Sequence, residues 1–478
     1  MTHRCALLLA CPSEHRQRAL WVFRTWASRY ELTLVPVERV GDVPDGHHLI
    51  IYGDPPGVAK PSLRIPCEAA LTEESHDLSA ARWVDHRGEP FLDLTGKAAL
   101  PVLSVSSPER TVRLGMDVVS AAFLFLSGMS ERNVSRLDRH GRVPHEESLV
   151  GRLGVTHRAV VDEWFGLLAD AFGALVGVPL RRRDLWNGAP FAVCLTHDID
   201  RVHHGWADAA RRTFSLLGQG RMGPALGTAG KVLRRLGAGA DFYWNLDELL
   251  NVDRRYGGAP TFFLMASDDH PLDADYRLSR RRWEDLVRRI RDGGGEIGLH
   301  GSYLSYRSAE RLAREREAVE RLTGEPVVGV RQHFLRFDPV RTWKAQDDAG
   351  FRYDASVGFI EQVGFRRGTS FPYQAYDLDA DRPLPLVELP LIVMDRTLEG
   401  YLKLSPEEAW SAVEPILKTV ERSGGCLVVL WHNLFIVEAC YPGWRAFYER
   451  ALDWARSRGG RFISGTGVRG SMDAFVTR

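Results

Sequence analysis

The sequence predicts an α/β protein in which a small α/β unit precedes a barrel of parallel strands. Through the second half of the chain, apolar runs of strand length alternate with segments of helical periodicity. Several of these runs end in a polar residue, and the chain, at 478 residues, is too long for one ordinary core. We therefore expect two units, residues 1–183 and 184–478, with the chemistry at the carboxyl ends of the barrel strands.

The composition is that of an ordinary globular protein. Lysine and arginine number 62, aspartate and glutamate also number 62, and hydrophobic residues make up 44%. This balance favours no nucleic-acid partner. The longest apolar run near the start, Cys5 to Cys11, is too short to cross a membrane and lacks a cleavage pattern. We therefore expect a cytoplasmic protein without membrane insertion.

The first unit reads as a small α/β domain with a helical exit. Apolar spacing predicts strands over Cys5–Ala10 and His48–Tyr52 and helices over Arg18–Tyr30, Met116–Leu126 and Val160–Val176. The polar cluster from Asp138 to Arg142 is either a binding element or, as we favour, a turn held by local salt bridges. Because the unit shows no catalytic constellation, we expect residues 184–478 to keep the chemistry without it.

A basic segment over 201–240 interrupts the second unit and is predicted to be a helical insertion. Its cations stand among glycine and alanine and include Arg211, Arg212, Lys231, Arg234 and Arg235. We favour a solvated helical face, and the alternative is a segment that binds an anionic substrate.

The barrel elements then follow in order. Buried strands are predicted over Phe191–Asp200, Pro260–Met265, Glu296–His300, Val327–Val330 and Cys426–Trp431. Asn245 is a predicted N-cap, and Ser405, Pro406 and Glu408 form a predicted capping box. Helical spacing links Trp283, Leu286, Val287 and Ile290, and also Leu312, Val319 and Leu322.

Polar residues at the strand ends form the candidate site. They are Asp198, Asp200, His300, Arg331 and His432. Two carboxylates one residue apart repel each other unless a cation or a shared proton lies between them. A metal site is therefore the first hypothesis, and a capping turn after the strand is the alternative for an isolated D-x-D.

Four short segments resemble the motifs of the NodB-homology polysaccharide deacetylases, carbohydrate esterase family 4, in that family's order. They are T-H-D-I-D from Thr196, G-L-H-G-S-Y from Gly298, V-R-Q-H-F from Val330 and L-W-H-N from Leu430. The resemblance covers the chain from about Pro190 to its C-terminus. The unit before it resembles an uncharacterised domain that accompanies some of these proteins.

The resemblance implies a distorted (β/α) barrel and a metal-dependent hydrolase. Its substrate is an acetylated sugar or glycan, from which an N-acetyl or O-acetyl group is removed. A divalent metal, Zn²⁺ by this resemblance, is bound by Asp200 and His300. Asp198 is the general base that takes a proton from the metal-bound water, and Arg331 keeps that carboxylate ionised.

The resemblance also implies a general acid. His432 protonates the leaving amine, and a nearby carboxylate keeps the imidazole cationic. Asp395 is the first candidate for that carboxylate, and Asp354 is the second.

One position departs from the family pattern. Leu304 stands where the family usually has a second histidine ligand, four residues after the first. The replacement is a water molecule or one of Ser302, Ser305, His203, His204 and His333. The alternative function is therefore a degenerate barrel that binds a carbohydrate or glycan precursor without turnover, and a third is hydrolysis of a different amide or ester.

Overall fold

The computed structural model describes residues 2–58, 60–68, 78–106, 110–202, 244–278, 281–438 and 440–476. From residue 203 onward the predicted basic insertion lies outside these ranges, and so do two ligand candidates, His203 and His204. Within these ranges no helix is long and apolar enough to span a membrane.

The N-terminal unit contains one mostly parallel sheet and one hairpin. Its strands are β1 (His3–Ala10), β2 (Leu32–Val37), β3 (His48–Gly53), β4 (Ser62–Ile65), β5 (Arg82–His86), β6 (Glu89–Asp93), β7 (Leu103–Ser106) and β8 (Thr111–Leu114). The sheet order is β2-β1-β3-β4-β8-β7, and only β7 is antiparallel to its neighbour. β5 and β6 pair with each other.

The described residues of this unit include the helices α1 (Arg16–Ala27), α2 (Val118–Leu126), α3 (Leu149–Arg152) and α4 (Val160–Val176). Asp117 caps the start of α2, because its carboxylate accepts hydrogen bonds from the backbone N–H groups of Val119 and Ser120. α4 ends at Gly177, whose left-handed φ of 80° favours glycine. The predicted strands and helices of the unit are confirmed, with ends displaced by a few residues.

The second sheet forms the barrel. Its strands are β9 (Ala192–Ile199), β10 (Thr261–Leu264), β11 (Glu296–Gly301), β12 (Gly329–Gln332), β13 (Tyr353–Asp354), β14 (Tyr373–Asp377), β15 (Arg382–Glu388), β16 (Leu391–Met394), β17 (Cys426–Leu430) and β18 (Arg461–Phe462). The order is β14-β15-β13-β12-β11-β10-β9-β17-β16, with β18 beside the start of β9. Only the edge strand β14 is antiparallel to its neighbour.

The sheet curls into an open, distorted barrel. β16 bonds to irregular chain after β13: the Leu391 N–H donates to the Val357 carbonyl at 3.0 Å, and the Gly364 N–H donates to the Ile392 carbonyl at 2.9 Å. The predicted fold class, an α/β protein with a distorted barrel, is confirmed. Because the strands from β16 to β15 are parallel, their carboxyl ends lie at one end of the barrel.

The barrel helices are α5 (Leu246–Arg255), α6 (Arg281–Asp292), α7 (Ala309–Thr323), α8 (Thr342–Asp348), α9 (Pro406–Ser423), α10 (Trp444–Ser457) and α11 (Gly465–Ser471). The four residues predicted to face the core from α6 are its buried ones, and the capping box before α9 forms. Asn245 precedes α5 but its side chain makes no cap. It donates to the carbonyl of Asn433 at 2.7 Å instead, because the turn after β17 brings that acceptor close.

The two units pack on each other through a continuous core. Buried polar groups cross the junction as well: Glu131 of the first unit pairs with Arg366 at 2.8 Å and with Arg367 at 3.0 Å. The indole N–H of Trp21 donates to the carbonyl of Gln374 at 3.1 Å. The boundary at residue 183 stays a prediction.

Candidate metal centre

The predicted site residues lie at one end of the barrel, at or just after the ends of neighbouring strands. In the sheet order they are Arg331 and His333 from β12, His300 from β11, Asp198 and Asp200 from β9, His432 after β17, and Asp395 after β16. The six residues chosen from sequence are therefore brought together, and His333 joins them.

Asp200, His300 and His333 form a ligand triad. Nε2 of His300 lies 3.1 Å from Oδ1 of Asp200, and Nδ1 of His333 lies 3.3 Å from the same oxygen. These ligand atoms all lie within 4.8 Å of one another, which is close enough for one metal ion to contact all three. The triad draws one residue from each of three strand ends.

The tautomers of the two histidines leave lone pairs inside the triad. Nδ1 of His300 donates to the carbonyl of Arg331 at 3.0 Å, and Nε2 of His333 donates to the carbonyl of Leu272 at 2.8 Å. A carbonyl can only accept, so the opposite ring nitrogens lack a proton when the rings are neutral. Two lone pairs and a carboxylate oxygen then face one another, which is a donor set that fits a divalent cation.

Leu304 offers no ligand atom, and His333 from another strand end lies beside Asp200 and His300 instead. Leu304 is 46% exposed, which fits its lack of any ligand atom. Ser302 and Ser305 are occupied elsewhere: Ser302 Oγ donates to Glu315 at 2.5 Å, and Ser305 Oγ donates to the Ser302 carbonyl at 2.9 Å. Of the replacements expected from sequence and described by the structure, His333 joins the triad.

Neighbouring charges shift the pKa of two members of the triad, Asp200 and His300. Burial raises the pKa of Asp200, but His333 and His300 outweigh it and hold that pKa well below its usual range. For His300 the directions are opposite: burial lowers its pKa, but Asp198 and Asp200 outweigh burial, so the pKa is raised. A cation between these groups replaces the proton that they would otherwise share.

Asp198 lies beside the triad, next to His300 and Arg331. Its Oδ2 is 3.8 Å from Nε2 of His300, and its Oδ1 is 3.6 Å from Nε of Arg331. Within the described residues Oδ1 has no hydrogen-bond partner. The guanidinium of Arg331 is fully buried and donates to Thr196 Oγ1 at 2.8 Å, so its charge has a fixed position. This geometry suits a carboxylate that accepts a proton.

His432 and Asp395 form a hydrogen-bonded pair that also lies beside the triad. Nδ1 of His432 donates to Oδ1 of Asp395 at 2.7 Å, and the backbone N–H of His432 donates to the other oxygen at 2.5 Å. Burial lowers the pKa of His432, but Asp395 outweighs it and raises the pKa to about 9. Burial raises the pKa of Asp395. Asp354, the second candidate partner, bonds to Gln346 and Ser356 instead.

The metal side of the site opens to solvent. Nε2 of His432 lies 3.6 Å from Oδ2 of Asp200, and the Asp200 side chain keeps 29% of its surface exposed. Asp198 keeps 4%. Solvent therefore reaches the triad past Asp200 and His432, and the Asp198 carboxylate lies deeper.

A further pair near the site was missed from the sequence. His197 donates through Nδ1 to the carbonyl of Trp431 at 2.7 Å and contacts Asp253 through Nε2 at 2.8 Å. Tyr448 Oη donates to the other oxygen of Asp253 at 2.7 Å. This buried network ties β9 to β17 and to α5, and so fixes the strand end that carries both aspartates. The sequence held one signal of this network, the carboxylate of Asp253 on the apolar face of α5.

The fold and the site together define a distorted α/β barrel with a candidate metal centre at the carboxyl ends of its strands. Residues 9–176 match the sequence model of a family of unknown function, DUF7033. This match lies in the unit that was predicted to resemble an uncharacterised domain. No curated protein matches the chain.

Several solved structures are similar to this chain, and three of them are described below. A candidate polysaccharide deacetylase from Mycobacterium smegmatis is 20% identical over 61% of this chain and 93% of that one, with a TM-score of 0.39. One from Pseudomonas aeruginosa PAO1 is 16% identical over 60% and 93%, with a TM-score of 0.41. The Puue allantoinase is 15% identical over 60% and 92%, with a TM-score of 0.42. The first two carry the name of the family that the four motifs resemble.

Proposed function

We propose that this chain is a metal-dependent hydrolase that removes an N-acetyl group from a sugar or glycan-containing substrate. One observation carries the proposal: the ligand triad lies close both to a carboxylate held by Arg331 and to an imidazole held by Asp395. A site that only binds has no need for a proton acceptor and a proton donor on opposite sides of one bond.

The triad is the proposed holder of the metal. Two imidazoles and one carboxylate are a usual set for a catalytic Zn²⁺ site that keeps a position open, and the same set also suits Fe²⁺. We propose Zn²⁺, which is the metal that the family resemblance of the sequence implied. When bound, such an ion supplies a Lewis acid that acidifies water and polarises an acyl carbonyl.

Asp198 acts as the general base in this proposal. Its carboxylate takes the proton of the attacking water, because Oδ2 lies on the triad side, 3.8 Å from Nε2 of His300. Arg331, with Nε 3.6 Å from Oδ1, holds the carboxylate in place.

His432 acts as the general acid. Its Nδ1 is committed to Asp395, so the proton that it can give to a leaving nitrogen sits on Nε2, which faces the triad. A pKa of about 9 keeps the imidazole cationic at neutral pH. Amines depart only when protonated, so this group matters most for an amide substrate.

The proposal also covers the class of substrate. A small glycan, a nucleotide- or lipid-linked sugar or a glycosylated metabolite suits the cytoplasmic location that we predicted. The second candidate function is binding of a carbohydrate or glycan precursor without turnover, and the loss of the usual histidine at Leu304 favours it.

Acetate release separates the two candidates. Purified protein is analysed for metal content and incubated with N-acetylglucosamine oligomers and with nucleotide-linked N-acetyl sugars. The hydrolase predicts about one bound metal ion per chain and acetate release that Asp198→Asn abolishes. Metal-loaded protein that binds these sugars and releases no acetate from them would instead support the binding protein.

A further inference from the structure

A turn of the N-terminal unit lies against the loops that follow the ligand-bearing strands. This 138–142 turn is held by Arg142, whose Nε and Nη2 donate to Asp138 Oδ2 at 2.8 and 2.6 Å. The Gly141 N–H also donates to the Asp138 carbonyl at 2.9 Å. The turn with local salt bridges that we predicted is therefore confirmed, but its other contacts lead to the metal centre.

The backbone directly after His333 adopts a conformation that needs support. Phe334 has φ 60° and ψ 15°, and Leu335 has φ 51°. Left-handed backbone is unfavourable for a residue with a side chain. Two consecutive residues persist there only where their surroundings hold them. Whatever holds Phe334 therefore also helps to fix the ring of His333.

Arg142 holds the carbonyl of Phe334. Its Nη1 donates to that oxygen at 2.6 Å, while its other two donor groups stay on Asp138. Arg142 is buried, so this charge-assisted bond forms away from water. The guanidinium thus joins a rigid turn of the first unit to the residue that follows a candidate ligand.

His140 holds the ring of the same residue. Its imidazole stacks on Phe334 with centroids 4.6 Å apart and planes inclined by 28°. Because Nε2 of His140 accepts from Arg139, Nδ1 carries the proton and donates to Tyr303 Oη at 3.1 Å. Its carbonyl accepts from Arg336 Nε at 2.8 Å. His140 therefore bridges the loops after β11 and β12, the strands that bring His300 and His333.

We propose that Arg142 and His140 are positioning residues for His333, so that the N-terminal unit completes the metal centre of the barrel. The inference rests on the proposed function only in requiring that the ligand triad binds a metal. It replaces our expectation that residues 184–478 keep the chemistry alone, because that fragment lacks the side chains that hold Phe334.

Metal binding by the full-length protein tests the proposal. The Kd for Zn²⁺ and the visible absorption of the Co²⁺-substituted protein are measured for Arg142→Ala and His140→Leu. Loss of groups that orient ligands typically costs 10–100-fold in metal affinity, and we expect about 10-fold here. The Co²⁺ bands, which report ligand geometry, should change as well. Arg142→Lys keeps the charge and one donor and should recover part of the affinity.

Arg132→Ala is the matched control. Arg132 also crosses from the first unit to the barrel, donating to the Leu378 carbonyl at 3.3 Å and to Asp379 at 2.9 Å, but it contacts the β14–β15 hairpin. Its Zn²⁺ affinity and Co²⁺ spectrum should match those of the wild type. A thermal unfolding midpoint accompanies each variant, and if Arg142→Ala does not fold, His140→Leu and Arg142→Lys decide.

The outcomes separate the two levels of inference. Wild-type protein that binds metal, with Arg142→Ala and His140→Leu unchanged in Kd and spectrum, would overturn the positioning role and leave the hydrolase standing. Wild-type protein that binds no divalent metal would overturn the proposed function, and the positioning role with it.

Discussion

Nδ1 of His333 lies 3.0 Å from Nε2 of His300, and with both rings neutral neither nitrogen has a proton for the other. The opposite nitrogen of each ring is bound to a backbone carbonyl. Two lone pairs this close repel unless a positive charge lies between them. In the proposed metal centre an ion supplies that charge, and Leu304 is then not a lost ligand, because His333 on the next strand takes that role.

Asp198→Asn should abolish turnover and leave the metal in place. The amide keeps the shape of the carboxylate but cannot take a proton, and general base catalysis is typically worth about 10²–10⁴-fold in rate. Acetate release and metal content are measured on the same preparation. A variant that loses its metal in parallel with its activity would assign Asp198 to metal binding instead.

His432→Ala should cost more with an amide than with an activated ester. An amine leaves only when protonated, whereas a phenolate leaves with little help. We expect kcat/KM on an N-acetyl sugar to fall by about 10²–10⁴-fold and kcat/KM on an aryl acetate to fall far less. Equal losses on both substrates would mean that His432 shapes or binds the site.

Asp395→Asn should move the alkaline limb of the kcat profile to lower pH. Asp395 raises the pKa of His432 to about 9, so the acid form is present below that pH and is lost as pH rises through it. Without the carboxylate the pKa falls back, and activity should decline from a lower pH. The limb is recorded from pH 6 to 10 for both proteins. An unchanged limb would show that another group donates the proton.

Glu131→Gln should destabilise the protein without touching the triad. Glu131 is buried with two arginines, and removing one partner of such a cluster costs about 3–5 kcal/mol. Burial raises the pKa of Glu131, but Arg366 and Arg367 outweigh it and lower the pKa from 4.5 to about 2. The stabilisation is therefore complete above pH 4.5 and fades as pH falls toward 2.

Urea unfolding at pH 7 and at several acidic pH values measures this effect. Glu310→Gln, at the exposed ion pair with Arg314, is the matched control and should change stability by less than about 0.5 kcal/mol. A Glu131→Gln variant as stable as the control would mean that the buried cluster does not hold the two units together.

The strand ends were predictable because buried parallel strands read as short apolar runs. β9, β11 and β17 each carry a polar residue at or just after their carboxyl ends. The apolar run from Leu391 to Met394 indicated Asp395 in the same way. Proximity of these residues in space follows from the parallel order alone. The sequence could therefore indicate most of the site.

The choice of third ligand could not be predicted. His333 was one of five candidate residues, and its selection depends on the left-handed backbone at Phe334 and on a carbonyl from the loop after β10. Neither leaves a pattern in the sequence. The hairpin of β14 and β15 was also missed. Its strands pack against the first unit and bury consecutive residues, so neither shows the regular alternation of a half-buried strand.

Zinc affinity of His333→Ala and Leu304→Ala beside the wild type tests the central claim most directly. If the ligand triad holds one divalent metal, the wild type binds one equivalent, His333→Ala binds it at least about 10-fold more weakly, and Leu304→Ala matches the wild type. His333→Ala with wild-type affinity, or a wild type that binds no metal, would contradict a metal centre built from Asp200, His300 and His333.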